Sequence, residues 1–204
     1  MRRVILGALL LAGLAWPAAE ARRATLTAAR QNMTPLTLRA EHGQDHWRIL
    51  VLEGGMESQR IEVQSDLPEV LPRLADADGD GAPDLWVPVI GGNANTAWEV
   101  WLMRPAEARF VRAGEVSGLG FSRDRGGMLV ALGRNGCCAS SLTWHRFSAE
   151  GALREAFAVE RQEGFSRALA CEGLAIAEEP PAATVRAACG LAVGQVPGRR
   201  LGVP

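Results

Sequence analysis

The chain has 204 residues, with 22 basic and 23 acidic side chains and a formal net charge of −1. This length suffices for one domain with a real core. The balanced charge argues against binding to nucleic acid or to anionic membrane surfaces, because both require an excess of basic residues on the protein. All the positive charge is arginine and tyrosine is absent, a usage typical of GC-rich bacterial genomes.

The N-terminus has the pattern of a secretory signal peptide. It reads MRRVILGALLLAGLAWPAAEARR, with two arginines, an apolar run from Val4 to Trp16 and small residues at Ala19 and Ala21. We expect residues 1–21 to be removed and the mature protein to begin near Arg22, in the periplasm. The apolar run is too short to span a bilayer and stop there, so an uncleaved anchor is the less favoured alternative.

The next part of the chain predicts hairpins. Residues 22–45 lack a clear rhythm and are expected to form an N-terminal arm or a first strand. The segments HWRILVLEGG and SQRIEVQSD alternate apolar and polar residues around Gly54-Gly55, which predicts a hairpin. A second hairpin is expected from Leu85–Ile90 and Ala97–Met103, which face each other across GGNAN.

Further strands follow along the chain. ARFVRAG predicts one, and GGMLVALGRNGCCASSLTWHRFSAEGALREAFAVE predicts three more, separated by turn signals at RNGCC and SAEG. Only LPEVLPRL and EGALREAF could form short helices. The predicted fold is mainly β, with residues 46–204 forming a single domain: an antiparallel β-sandwich or small β-barrel built from hairpins, with an inserted loop at 76–84.

Four cysteines, an even number, favour disulfides in an oxidising compartment. They are Cys137, Cys138, Cys171 and Cys189. The last two flank a segment that suggests two short strands around a Pro-Pro turn, so a bridge between them would close a hairpin. The adjacent pair could bond to each other or each could reach a later cysteine, and all three connectivities stay open. A catalytic thiol near His145 is less favoured.

Aspartates alternate along DADGDGAPD, which we call the aspartate loop (residues 76–84). They occupy positions one, three, five and nine of a loop whose sixth residue is glycine. A calcium ion takes six to eight oxygen ligands, and alternate carboxylates on a tightly curled loop converge on one point. Histidine and cysteine are absent nearby, which favours calcium over zinc or copper. The predicted ligands are Asp76, Asp78, Asp80, the carbonyl of Ala82, and Asp84.

The aspartate loop differs from an EF-hand. Position twelve, where a bidentate glutamate belongs, is Val87, and a strand-like sequence follows. The loop instead resembles the calcium loops of FG-GAP and related β repeats, DxDxDGxxDL, which connect strands. A solvated acidic turn without an ion is the alternative. Metal catalysis is not expected, because carboxylates that enclose calcium leave no open position and no general base lies beside them.

Several elements follow the aspartate loop in a distinctive order. An apolar strand precedes a loop of glycines and asparagines at Gly91–Asn95, then come Trp98, Trp101-Leu102 and Phe110-Val111. In this order they resemble the bacterial periplasmic inhibitors related to the xanthomonad immunity protein against a type IV secreted lysozyme-like effector. The resemblance covers residues 70–160. It implies a β-rich fold similar to invertebrate-type lysozyme inhibitors, and a loop that enters the cleft of a lysozyme-like peptidoglycan hydrolase.

The segment GGNANTAW suits such a contact. Asn93 and Asn95 offer amide donors to glycosidase carboxylates, and Trp98 offers an aromatic anchor. Calcium one strand away would hold the loop rigid. The alternative is that GGNAN is merely a hairpin turn and that Trp98 points into the core. The core is the expected place for Trp86, Trp101 and Trp144.

Two other functions compete with inhibition. A calcium-stabilised carbohydrate-binding or adhesion module would use exposed tryptophans to stack on sugar rings. An enzyme is weaker, because the three histidines are scattered and no nucleophile motif occurs. The carboxylate pairs Glu53 with Glu57 and Glu99 with Asp84 are not favoured as a glycosidase pair. We therefore predict no catalytic residues.

Overall fold

The computed structural model describes residues 22–92, 94–136, 138–162, 170–192 and 194–203. In these ranges the chain forms three antiparallel sheets and one α-helix. The predicted signal peptide at residues 1–21 lies outside them, and so do Asn93 and Cys137.

The first sheet has four strands in chain order. They are β1 (Arg23–Ala28), β2 (Leu36–Gly43), β3 (His46–Glu53) and β4 (Met56–Gln64). Gly54 and Gly55 make the β3–β4 turn with φ of 56° and 91°, values that only glycine adopts readily. The predicted hairpin is confirmed. Residues 22–45, expected as an arm or first strand, contribute both β1 and β2.

The second sheet also has four strands in chain order. They are β5 (Arg73–Ala75), β6 (Asp84–Gly91), β7 (Thr96–Arg104) and β8 (Arg109–Gly118). The predicted β6–β7 hairpin is confirmed, with Leu85 opposite Trp101 and Ile90 opposite Ala97. A short 3-10 helix at Pro105–Glu107 connects β7 to β8.

The third sheet has six strands in the order β13-β12-β11-β10-β9-β14. They are β9 (Gly120–Arg123), β10 (Leu129–Asn135), β11 (Ala139–Phe147), β12 (Leu153–Gln162), β13 (Ala170–Ala175) and β14 (Arg199–Arg200). The three strands predicted from GGMLV to AFAVE are confirmed as β10, β11 and β12.

Both helix candidates are wrong. EGALREAF lies mostly in β12, where pairing with β11 overrides its helical propensity. LPEVLPRL forms turns and leads into β5, since its prolines cannot donate helical hydrogen bonds. The one α-helix among the described residues, α1 (Ala182–Cys189), starts directly after Pro180-Pro181.

Two cores explain the order of the layers. One contains Leu85 and Val87 of β6 together with Trp47 and Ile49 of the first sheet. The other contains the intervening Trp86 of β6 and residues of the third sheet such as Phe121 and Leu129. Because successive side chains of a strand point to opposite faces, the second sheet is covered on both sides. Among the described strands no sheet closes on itself, so the sandwich expectation is confirmed and the barrel is not.

One disulfide joins Cys171 of β13 to Cys189 of α1, with Cα atoms 5.9 Å apart. It therefore joins a strand to a helix and does not close a hairpin of two strands. The reason is that AATVRAAC after the proline pair is rich in alanine, the best helix former. Cys138 also takes part in a disulfide. Within the described ranges, the helices lack the length and apolar character that a membrane span requires.

Candidate metal centre

The aspartate loop connects β5 to β6 and is curled by its own side chains. Asp76 Oδ1 accepts a hydrogen bond from the amide of Gly79 at 2.6 Å. Asp78 Oδ1 accepts one from the amide of Asp80 at 3.1 Å, and Asp80 Oδ1 accepts one from the amide of Ala82 at 2.7 Å. Aspartate side chains that bond to amides two or three residues ahead form tight turns. The loop is thus already curled as the sequence predicts.

Three carboxylates of the aspartate loop converge. Asp76, Asp78 and Asp84 each offer an oxygen, and these oxygens all lie within 4.8 Å of one another. Such a set of hard oxygen donors could hold a metal ion and fits calcium by its chemistry. Asp80, predicted as a fourth carboxylate ligand, is not part of this group and is exposed.

Asp84 is the buried member of the group, with 1% of its surface exposed. Its Oδ2 accepts a hydrogen bond from the amide of Ala77 at 2.7 Å, and its Oδ1 accepts one from the amide of Met103 at 2.9 Å. Burial raises the pKa of Asp84 to about 7, against the opposing effect of these two hydrogen bonds. A bound cation would favour the ionised carboxylate, which forms no ion pair with any arginine among the described residues.

Asp78 lies half-buried on the same side of the loop. Burial raises its pKa, and the negative charges of Asp80 and Asp76 raise it further, while Arg104 acts in the opposite direction. Both Asp78 and Asp84 therefore lie where positive charge is in short supply.

Asp76 differs because it lies in an ion pair with Arg123 of β9. Nη1 of Arg123 donates to Oδ1 at 3.2 Å, and Nη2 donates to Oδ2 at 3.0 Å. Arg199 of β14 approaches the same carboxylate at 3.9 Å. Sequence reasoning missed both arginines, because they lie far along the chain and reach the loop only through the third sheet.

Gly79 makes room for Arg123. A Cβ atom on Gly79 would lie 1.9 Å from Nη1 of Arg123, and the φ of Gly79 is 91°. Only glycine meets both demands readily. Gly81, the sixth residue of the loop, also has a positive φ of 88°, but the guanidinium lies over Gly79.

In the β6–β7 loop (residues 92–95), the described residues at the two ends are bonded to their neighbours. The amide of Gly92 donates to the carbonyl of Asn95 at 2.9 Å. The side chain of Asn95 exchanges two hydrogen bonds with the backbone of Arg134 on β10, at 3.1 and 2.9 Å. On the other side, Leu67 packs against Gly91. The amide of Asn95, expected to bind a partner, is therefore used inside the protein.

Trp98 is not an exposed anchor, so that prediction is wrong. Only 1% of its surface is exposed, because it lies on the face of β7 that the third sheet covers. Trp86 and Trp144 are buried as expected, Trp86 in the core between the second and third sheets and Trp144 in a third cluster with Ala188 of α1. Trp101 is partly buried against the core of the first two sheets. Since none of the tryptophans in the described ranges is exposed, a platform for sugar stacking finds no support there.

The carboxylates considered as a glycosidase pair are engaged elsewhere. Glu53, Glu57 and Glu99 each form an ion pair with an arginine. Asp84, the possible partner of Glu99, is tied to two backbone amides. Each carboxylate of the two pairs therefore already has a partner inside the protein, which does not favour a glycosidase pair.

The aspartate loop and the β6–β7 loop lie at opposite ends of β6. This strand has eight residues, from Asp84 to Gly91. At about 3.3 Å per residue the two ends are about 23 Å apart. A metal ion in the aspartate loop is therefore too distant to brace the β6–β7 loop directly, contrary to expectation.

Comparisons of the chain with models of protein families, with curated proteins and with solved structures gave no match.

Proposed function

We propose that this protein is an extracytoplasmic, calcium-stabilised inhibitor of a lysozyme-like peptidoglycan hydrolase, with the β6–β7 loop as its contact element. The observation that carries the proposal is that both ends of this loop are fixed: Leu67 packs against Gly91 just before it, and Asn95 bonds to the backbone of Arg134 at its end. A loop held rigid before binding loses little conformational entropy when it enters a cleft. The order of motifs around it, which resembles that of the periplasmic inhibitors, supplies the target class.

The exposed part of this region suits a cleft. Ile90, the residue before Gly91, is 54% exposed, so a large apolar side chain lies at the surface next to two glycines. The buried centre of a protein interface is more apolar than its rim, so an exposed apolar side chain can serve as an anchor there. In this proposal Ile90 and the backbone of Gly91 and Gly92 contact the hydrolase, while Asn95 acts as the brace and Trp98 as core.

Calcium has a stabilising role in this proposal. The carboxylates of Asp76, Asp78 and Asp84 would hold the ion, which supplies the positive charge that the buried Asp84 lacks. The chain's own contribution is the curled loop and the amides of Ala77 and Met103, which fix the orientation of Asp84. Calcium would thus hold the first residue of β6 in place, and β6 contributes side chains to the cores on both faces of the second sheet.

An extracytoplasmic location is supported by the disulfide between Cys171 and Cys189. Disulfides persist in oxidising compartments and are rare in the bacterial cytoplasm. The N-terminal sequence, with the pattern of a secretory signal, agrees with this location.

The test uses the mature chain, residues 22–204, with calcium and a panel of lysozyme-type peptidoglycan hydrolases that includes any encoded beside its gene. We expect stoichiometric inhibition of at least one enzyme. Ile90→Asp should abolish it, because a charge replaces the apolar anchor. Met56→Asp is the matched control, since Met56 is 77% exposed on the β3–β4 hairpin, on a different sheet. No inhibition across the panel, or equal loss in both variants, would contradict the proposal.

A further inference from the structure

The ion pair between Arg123 and Asp76 is largely withdrawn from water. The side chains of Arg123 and Asp76 are only 15% and 18% exposed. The guanidinium donates to both carboxylate oxygens, the bidentate geometry that is strongest for this pair. A positive charge of the chain itself thus already lies against one of the three converging carboxylates.

Arg123 also uses the hydrogen-bonding capacity of Asp76. Oδ1 accepts from both Gly79 and Arg123, so its two lone-pair positions are filled. Oδ2 accepts from Arg123 alone and retains one free position. With the guanidinium in place, Asp76 can therefore offer a metal ion no more than one bond.

The backbone of Arg123 is held firmly by the C-terminal segment. A Cβ atom on Gly198 would lie 2.0 Å from the carbonyl oxygen of Arg123, so this glycine permits a very close approach. The hydroxyl of Ser122 donates to the carbonyl of Pro197 at 2.6 Å, and the amide of Leu201 donates to the carbonyl of Phe121 at 2.9 Å. The backbone of Arg123 is therefore held in place, and its largely buried guanidinium lies at a defined position beside Asp76.

We infer that Arg123 determines the affinity of the aspartate loop for calcium. Its guanidinium is a built-in cation that occupies the carboxylate of Asp76, and it therefore weakens binding of the metal. This inference rests on the proposed calcium site. A unit charge about 6 Å from a divalent ion changes its binding about tenfold, even in a medium as polar as water. The pair keeps the loop assembled when calcium is scarce and keeps the site weak, as in extracellular modules that bind calcium with Kd values near 10⁻⁴–10⁻³ M.

The test is calorimetric titration of calcium into the mature chain and into three variants. Arg123→Gln should bind calcium about tenfold more tightly than the wild type, by the same Coulomb argument. Arg123→Lys should fall between the two, since it keeps the charge but not the bidentate geometry. Arg125→Gln is the matched control: it removes the same charge from an exposed side chain two residues away, and its affinity should stay within about twofold of the wild type.

A second measurement covers the case in which Arg123→Gln folds poorly. The melting temperature of this variant should fall below that of the wild type in chelator, and saturating calcium should close the gap, because the metal replaces the lost cation. Wild-type binding with unchanged or weaker affinity in Arg123→Gln would overturn the inference and leave the calcium site intact. Binding by Arg123→Gln alone would support the inference and contradict the calcium site of the wild type. No binding by either would overturn both.

Discussion

Asp84 at the start of β6 accepts a hydrogen bond from the backbone amide of Met103, near the end of β7, at 2.9 Å. The same carboxylate accepts a second hydrogen bond from the amide of Ala77 at 2.7 Å. Met103 lies in the core between the first two sheets and Ala77 in the core between the second and third. One buried side chain therefore joins the aspartate loop to both cores.

Replacement of Asp84 should be costly even without metal. Asp84→Ala leaves two buried amides without partners, and we expect the free energy of unfolding to fall by about 3 kcal/mol. Asp80→Ala is the control, because Asp80 is exposed and accepts a single hydrogen bond, so its loss should lower stability by only about 1 kcal/mol or less. Urea denaturation of both variants in chelator measures the difference. Equal losses would show that Asp84 does not have this joining role.

Ile90, the proposed anchor, and Trp98, which lies in the core, should differ in how much their replacement lowers the free energy of unfolding. Trp98→Ala removes a large buried side chain and should lower the free energy of unfolding by about 3–5 kcal/mol. Ile90→Ala, at a half-exposed site, should lower it by less than about 1 kcal/mol. Chemical denaturation checks both values. A stable Trp98→Ala variant that loses only inhibition would restore Trp98 as a contact residue.

The disulfide between β13 and α1 should contribute substantially to stability. Its cysteines are 18 residues apart in sequence, and a loop of that length corresponds to about 3 kcal/mol of entropy removed from the unfolded chain. The double variant Cys171→Ser with Cys189→Ser should lose about that amount in guanidinium denaturation. The two serines leave no free thiol to form new pairs. An unchanged denaturation midpoint would argue that α1 is held by its other contacts.

His145 should make the protein sensitive to acid. Burial lowers the pKa of His145 below its ordinary value of 6.5, against the opposing effects of Glu155 and of the carbonyl of Thr143. Between the folded pKa and 6.5 the unfolded chain binds more protons, so stability is lost as the pH falls through that range. We expect the melting temperature of the wild type to fall more between pH 7 and pH 5 than that of His145→Asn. Parallel curves for the two proteins would contradict this expectation.

Local patterns predicted most of the strands because the information lies within a few residues. Alternation around Gly54-Gly55 indicates a hairpin, and the aspartate spacing indicates a curled loop, since each carboxylate bonds to an amide two or three residues away. The burial of Trp98 depends instead on the third sheet, which covers the second sheet from the far side. Alternation alone cannot tell whether the second face of a strand meets water or another sheet.

The electrostatics of the site also depend on distant residues. Arg123 is 47 positions from Asp76 in sequence, and it reaches that carboxylate only because β9 lies beside the aspartate loop. The strand at EGALREAF also depends on its neighbour in the sheet, since pairing with β11 outweighs a helical preference that is visible locally. These features follow from the packing of the sheets, which cannot be deduced from local patterns in a single sequence.

The most direct test of the account is the melting temperature of the mature protein in calcium and in chelator, together with that of Asp78→Asn. Calcium at a hundredfold excess over its Kd stabilises a folded protein by about 2.7 kcal/mol. For a domain of this size, that corresponds to a rise of about 5–10 °C in the melting temperature. We predict this rise for the wild type and its loss in Asp78→Asn. Identical melting of the wild type in calcium and in chelator would contradict a calcium site in the aspartate loop.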